Sequence, residues 1–255
     1  MPSFNIEPDR QAVDRRTLLR GSMAAAAVPA LPVAGETGKR PAGLPPVVAG
    51  IPIPQTKLAR DSAAFAREAF PEVFFNHCMR TYVFGCLLAD RQGVRYDREL
   101  AFVASALHDL GMLQKYATPA QPFEVDGADA AQRFLSGKGV SASRIDVVWD
   151  AIALHTNGGV ARRKRPEIAL VSAGSGLDFA GFNYELIPPS TMRDVLSHFP
   201  RSGFKQMALG DLLRHLNEKP AAYVLHPFSE VGRRRIPNFP IPAPDDILMN
   251  APFAE

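Results

Sequence analysis

Tryptophan is almost missing from this 255-residue chain, cysteine is nearly as scarce, and neither sign of charge dominates. A single tryptophan, Trp149, argues against a stacking platform for single-stranded nucleic acid. The two cysteines, Cys78 and Cys86, lie on one predicted helix, about 12 Å apart along its axis at 1.5 Å per residue. A disulfide needs Cα atoms within roughly 7 Å, so they read as separate buried thiols. No Cys-x-x-Cys pair is present, which removes the usual structural zinc motif. With 29 basic and 26 acidic residues the formal charge is only +3, which gives no case for a nucleic-acid partner. The apolar run 24–34 is too short and too broken by proline to form a stable membrane span.

What is present begins with an address. Asp14-Arg15-Arg16-Thr17-Leu18-Leu19-Arg20 resembles a twin-arginine export signature, and the small-residue run behind it offers cleavage sites near Val28-Pro29-Ala30 and Ala34. Residues 1–34 are therefore expected to be a signal peptide, recognised by the twin-arginine translocation machinery and leading to a periplasmic or secreted protein. That route carries folded cargo, which suits a protein that acquires a metal before export. Residues 35–56 hold Gly43-Leu44-Pro45-Pro46 and Ile51-Pro52-Ile53-Pro54, too much proline for a helix or central strand, and read as a linker or surface arm.

Beyond residue 57 the apolar spacing is helical, over 57–70, 71–90, 98–110, 128–136, 141–154, 166–178, 190–199 and 204–216. With 46% hydrophobic residues the chain can bury one substantial core. The expectation is an all-α fold: a single helical domain over 57–218 with proline-rich N- and C-terminal extensions, the latter (219–255) largely extended. The segment 71–90 is apolar on most sides, as a helix buried in the middle of a domain should be. His77 therefore sits where a histidine needs a partner.

The stretch with the most chemistry is Ala106-Leu107-His108-Asp109-Leu110-Gly111, two metal-binding side chains where glycine ends a helix. His77 lies 31 positions upstream and Asp178 lies 69 downstream, each in a helical context. Four further residues accompany them. Arg80, one turn beyond His77, either meets the site or forms a structural ion pair. Glu124 stands among acids that would also serve a helix N-terminus. His155, followed by Thr156 and a glycine pair, repeats the helix-end setting of His108. The run Arg162-Arg163-Lys164-Arg165 is either solvated or an attractor for an anion. His198, His215 and His226 have no companion motif and read as structural or exposed.

The order His77, His108-Asp109, Asp178 resembles the HD superfamily of metal-dependent hydrolases, over about residues 57–216. Phe123-Glu124-Val125-Asp126-Gly127-Ala128 and Ala151-Ile152-Ala153-Leu154-His155-Thr156 are similar to its cyanamide hydratase-like branch. The resemblance implies one HD-type domain holding one divalent transition metal, zinc first and iron second, on His77, His108, Asp109 and Asp178. It implies an enzyme that activates water against a small molecule such as a cyanamide or nitrile. Asp109, Glu124 and His155 would be catalytic, and His155, Thr156 and Arg80 would bind substrate. A phosphohydrolase acting on a phosphomonoester or nucleotide is the alternative, weakened by Met112 where some nucleotidase branches carry Glu. A di-iron oxygenase needs two more histidines between His108 and Asp178, and only His155 is there. A non-catalytic module would be expected to have lost ligands. The oligomeric state stays open.

Overall fold

The computed structural model describes residues 43–252; the expected signal at 1–34 lies outside them. Prolines shape the first described stretch. Val47–Val48 (β1) and Ile51–Pro52 (β2) form a two-stranded antiparallel hairpin. Both residues of its tight turn, Ala49 and Gly50, have positive φ (50° and 80°), the geometry that matches strand twist. Val48, Ile51 and Ile53 are buried. The Tyr82 hydroxyl donates to the Pro52 carbonyl at 2.9 Å, so the arm is fastened to the helices behind it.

The rest is helical. Lys57–Ala69 (α1) is capped by the Thr56 hydroxyl, which accepts from the Ala59 N–H. Glu72–Arg91 (α2) is buried almost continuously from Phe74 to Ala89. Arg98–Leu107 (α3) is capped by the Asp97 side chain, and the Asp97 N–H donates to Glu167 at the start of a later helix. Phe123–Ser136 (α4), Ala142–Ala153 (α5) and the single turn Gly158–Ala161 (α6) follow. Pro166–Ala180 (α7) begins on proline and ends on Gly181 in the left-handed conformation, both favoured at those positions. Pro189–His198 (α8), Phe204–Glu218 (α9), Ser229–Arg235 (α10) and Pro244–Met249 (α11) complete the order. Among the described residues, no helix is long and apolar enough to cross a membrane.

Two close crossings set the frame. Where α2 meets α7, a Cβ on Gly174 would overlap the Thr81 carbonyl, and one on Gly85 would overlap Leu170. Only glycine lets the two backbones come this near, and the crossing puts His77 and Arg80 beside Asp178. Near residue 110, a Cβ on Gly111 would overlap the Phe123 carbonyl, so α4 lies against the turn that follows α3.

Three boundaries depart from the sequence reading. The third helix stops at Leu107, not 110, and the chain tightens into a 3-10 turn over Leu110–Met112. The helix expected from 128 begins at Phe123, with Pro122 as its cap. The C-terminal extension is not largely extended. It carries α10, α11 and a 3-10 turn over Pro220–Tyr223, and it packs back onto the domain. Lys219, buried, pairs with Asp126 at 2.5 Å and donates to the Gln121 carbonyl at 2.8 Å; Asp126 also accepts from the Thr118 N–H and hydroxyl. Tyr223 is fully buried. Buried ammonium–carboxylate pairs persist only when hydrogen bonds satisfy both partners, as they do here.

Candidate metal centre

The unwinding after Leu107 is what aims the site. His108 keeps helical torsions while Asp109 turns to φ −98°, ψ 12°, which lets two adjacent side chains converge rather than splay. His77, His108 and Asp109, all buried, bring one ligand atom each within 4.8 Å of one another. His77 Nε2 and His108 Nε2 are 3.2 Å apart, and each is 3.4 Å from Asp109 Oδ2.

Hydrogen bonds on the far sides of the rings fix the tautomers. His108 Nδ1 donates to the Ser105 carbonyl at 2.9 Å, and His155 Nδ1 donates to the Ile152 carbonyl at 2.7 Å. His77 Nδ1 lies 2.6 Å from Asp178 Oδ2, an acceptor-only carboxylate. With those protons committed, the neutral rings point Nε2 lone pairs at one another, which is favourable when a cation lies between them. Outer partners of this kind are what metal-ligating histidines ordinarily have. Burial first, then neighbouring His77, pushes His108 down to about 3; burial, then His108, pushes His155 down to about 4. Burial also lifts Asp109 above the ordinary carboxylate range, outweighing the pull of His77 and His155. The residues therefore fit a divalent cation: bare imidazole nitrogens, a nearby carboxylate and no water-exposed alternative.

Asp178 does not join that cluster, contrary to the four-ligand expectation. It stands behind His77, on the Nδ1 side. Its Oδ2 takes His77 and Arg80 Nη2 (2.8 Å), and its Oδ1 takes Arg80 Nε (2.8 Å) and Arg201 Nη1 (2.5 Å). Burial favours protonation, but the bonds from His77 and Arg80 overcome it and hold this carboxyl well below its usual range. Arg80 is corrected with it. Fully buried, it spends its guanidinium on Asp178 and on the carbonyls of Phe199 and Pro200, so it anchors the fold and does not face a substrate. Phe204 of α9 stacks on the His77 ring, centroids 4.5 Å apart.

His155 is buried with Nε2 3.7 Å from Asp109 Oδ1, and its ring meets His108 edge-on at 4.8 Å. Glu124, in the first turn of α4, is also buried. Its Oε1 accepts from the Thr156 hydroxyl at 2.7 Å, while Oε2 is buried without a protein partner. Thr156 is exposed and holds Glu124 from the surface side. The residue that sequence reasoning missed is His226, whose Nε2 is 3.1 Å from Glu124 Oε1. A lone histidine in a proline-rich tail gives no local signal; only the return of the C-terminal segment reveals it. Burial raises Glu124, but the His226 hydrogen bond, with His155 and Thr156, leaves it lowered. The basic run is exposed, and Lys164 and Arg165 pair with Asp150 and Glu167.

Residues 74–178 match the HD domain family, which covers His77, His108, Asp109, Glu124, His155 and Asp178. HD domains are typical of metal-dependent hydrolases. No curated protein matches the chain.

Proposed function

We propose that the chain is a metal-dependent hydratase or hydrolase adding water to a small uncharged molecule with an electrophilic carbon, such as a cyanamide or nitrile. The observation that carries the reading is the charge balance: among the described residues, the guanidiniums that reach the site, Arg80 and Arg201, are spent on Asp178. Asp109 and Glu124 stand against the incoming dication. A phosphate dianion would meet buried carboxylates with no guanidinium to pair with, whereas a neutral substrate pays no such penalty.

When bound on His77, His108 and Asp109, a divalent cation, zinc or iron by donor type, supplies Lewis acidity and brings water toward ionisation near neutral pH. The chain's own groups do the rest. Glu124 Oε2, buried and without a donor, takes a proton from the attacking water. The water oxygen bonds the carbon, one C–N π pair moves to nitrogen, and Glu124 returns the proton there. The resulting imidic acid tautomerises to an amide, or to urea from cyanamide. His155, protonated on Nδ1, offers Nε2 as an acceptor, so it takes an N–H of the substrate rather than stabilising an anion. Asp109 orients the water.

The test is metal quantification on the purified chain, then turnover of cyanamide and simple nitriles beside p-nitrophenyl phosphate and nucleotides. Hydration of the first group supports the reading. Turnover of phosphoesters alone overturns it and favours the exposed basic run at 162–165 as a phosphate-binding element. We also propose export by the twin-arginine route, on the motif at 14–20; a substitution of Arg15 and Arg16 by lysine should retain the protein in the cytoplasm.

A further inference from the structure

The C-terminal segment does more than cover the domain. Leu225, exposed, adopts a left-handed φ of 59°, a conformation leucine rarely takes, and the next residue is His226. The His226 ring lies between Tyr223 (5.2 Å, edge-on) and Phe228 (5.3 Å). Its Nδ1 accepts the backbone N–H of Phe228 at 3.2 Å. A nitrogen that accepts carries no proton, so the neutral ring is protonated on Nε2 and donates to Glu124 Oε1. Thr156 donates to the same oxygen. Two donors 70 positions apart in the sequence thus occupy Oε1 and leave Oε2 as the one acceptor of this carboxylate without a protein partner. Thr156 adjoins His155, whose Nε2 is 3.7 Å from Asp109 Oδ1, so its hydrogen bond holds Glu124 beside the site.

We propose that His226 is a positioning residue, which with Thr156 clamps one oxygen of Glu124 so that the other is presented as the proton acceptor of the reaction. The active site then includes a residue outside the matched HD segment at 74–178. This inference rests on the hydratase reading given above, because it assigns Glu124 the water proton.

The test uses the full chain loaded with zinc and cyanamide as probe. His226→Ala should lower kcat about 10- to 100-fold with KM and zinc stoichiometry unchanged. His226→Gln, whose amide NH₂ reaches the position of Nε2, should restore kcat to within about threefold. Thr156→Val should also lower kcat, and the Glu124→Gln/His226→Ala double variant should be no worse than Glu124→Gln alone. A His226→Ala enzyme with undiminished kcat, a glutamine variant no better than alanine, or multiplicative losses would overturn the proposal. Should the alanine variant not fold, the glutamine and Thr156→Val forms decide. Absence of turnover of both cyanamide and simple nitriles by the wild-type chain instead refutes the hydratase reading. The clamp is then read by carbon-13 titration of Glu124, whose midpoint rises in Thr156→Val, and further in His226→Ala,Thr156→Val, if the clamp exists and stays put if it does not.

Discussion

Asp178 and Glu124 are both buried carboxylates that meet an imidazole, His77 in one case and His226 in the other, yet they are held in opposite ways. Asp178 is saturated: two guanidiniums and His77 occupy both of its oxygens. Glu124 has neutral donors on one oxygen and none on the other. A saturated anion has no lone pair left for a reactant and serves as an anchor. An anion with one oxygen in reserve can move a proton. The difference between structural and chemical carboxylates lies in who their neighbours are, since burial is alike in both.

The sharpest blow to this division is to remove the centre it surrounds. His108→Ala should abolish stoichiometric zinc binding, measured by metal analysis, and lower turnover by about a thousandfold or more. Next, Asp178→Asn strands Arg80, a fully buried guanidinium, and should cost about 3–5 kcal/mol in urea unfolding. Glu124→Gln should do the reverse: kcat falls about 100-fold or more while the unfolding midpoint moves little. If the two variants swap these phenotypes, the comparison between the two carboxylates is broken.

The mildest effect concerns pH. Without a metal, burial holds His108 down to about 3 and His155 down to about 4, against about 6.5 when unfolded. Between those values the unfolded state binds more protons. Their neutral burial is therefore fully tolerated above pH 6.5, and stability is lost as pH falls from there toward 4, by about 1 to 2 kcal/mol per pH unit. Asp109, raised by burial, opposes part of that slope. Thermal melts across this range should show the loss, and His155→Asn should flatten it.

Much of this was legible in residue order. The helical periods located the long helices, and the His-Asp pair before glycine lies in the His/His/Asp cluster that could hold a metal ion. What escaped notice has physical causes. The resemblance implies that Asp178 is near His77 but not which ring nitrogen it meets, so ligand and anchor look alike in sequence. Arg80 was open to either role for the same reason. The start of α4 was hidden because Pro122, Gly127 and a cluster of acids weaken the local helical signal, although Gly111 needs that helix close by. His226 was invisible because its partner lies 102 positions away.

The Lys219–Asp126 pair has a practical consequence for anyone trimming this protein. A chain cut after Glu218, the natural place to stop if the tail were dispensable, would remove the ammonium and leave a buried carboxylate with only the Thr118 N–H and hydroxyl as donors. The shortened version would keep every residue of the HD match and still fold less well than the parent. A fragment that keeps this pair must run past Lys219.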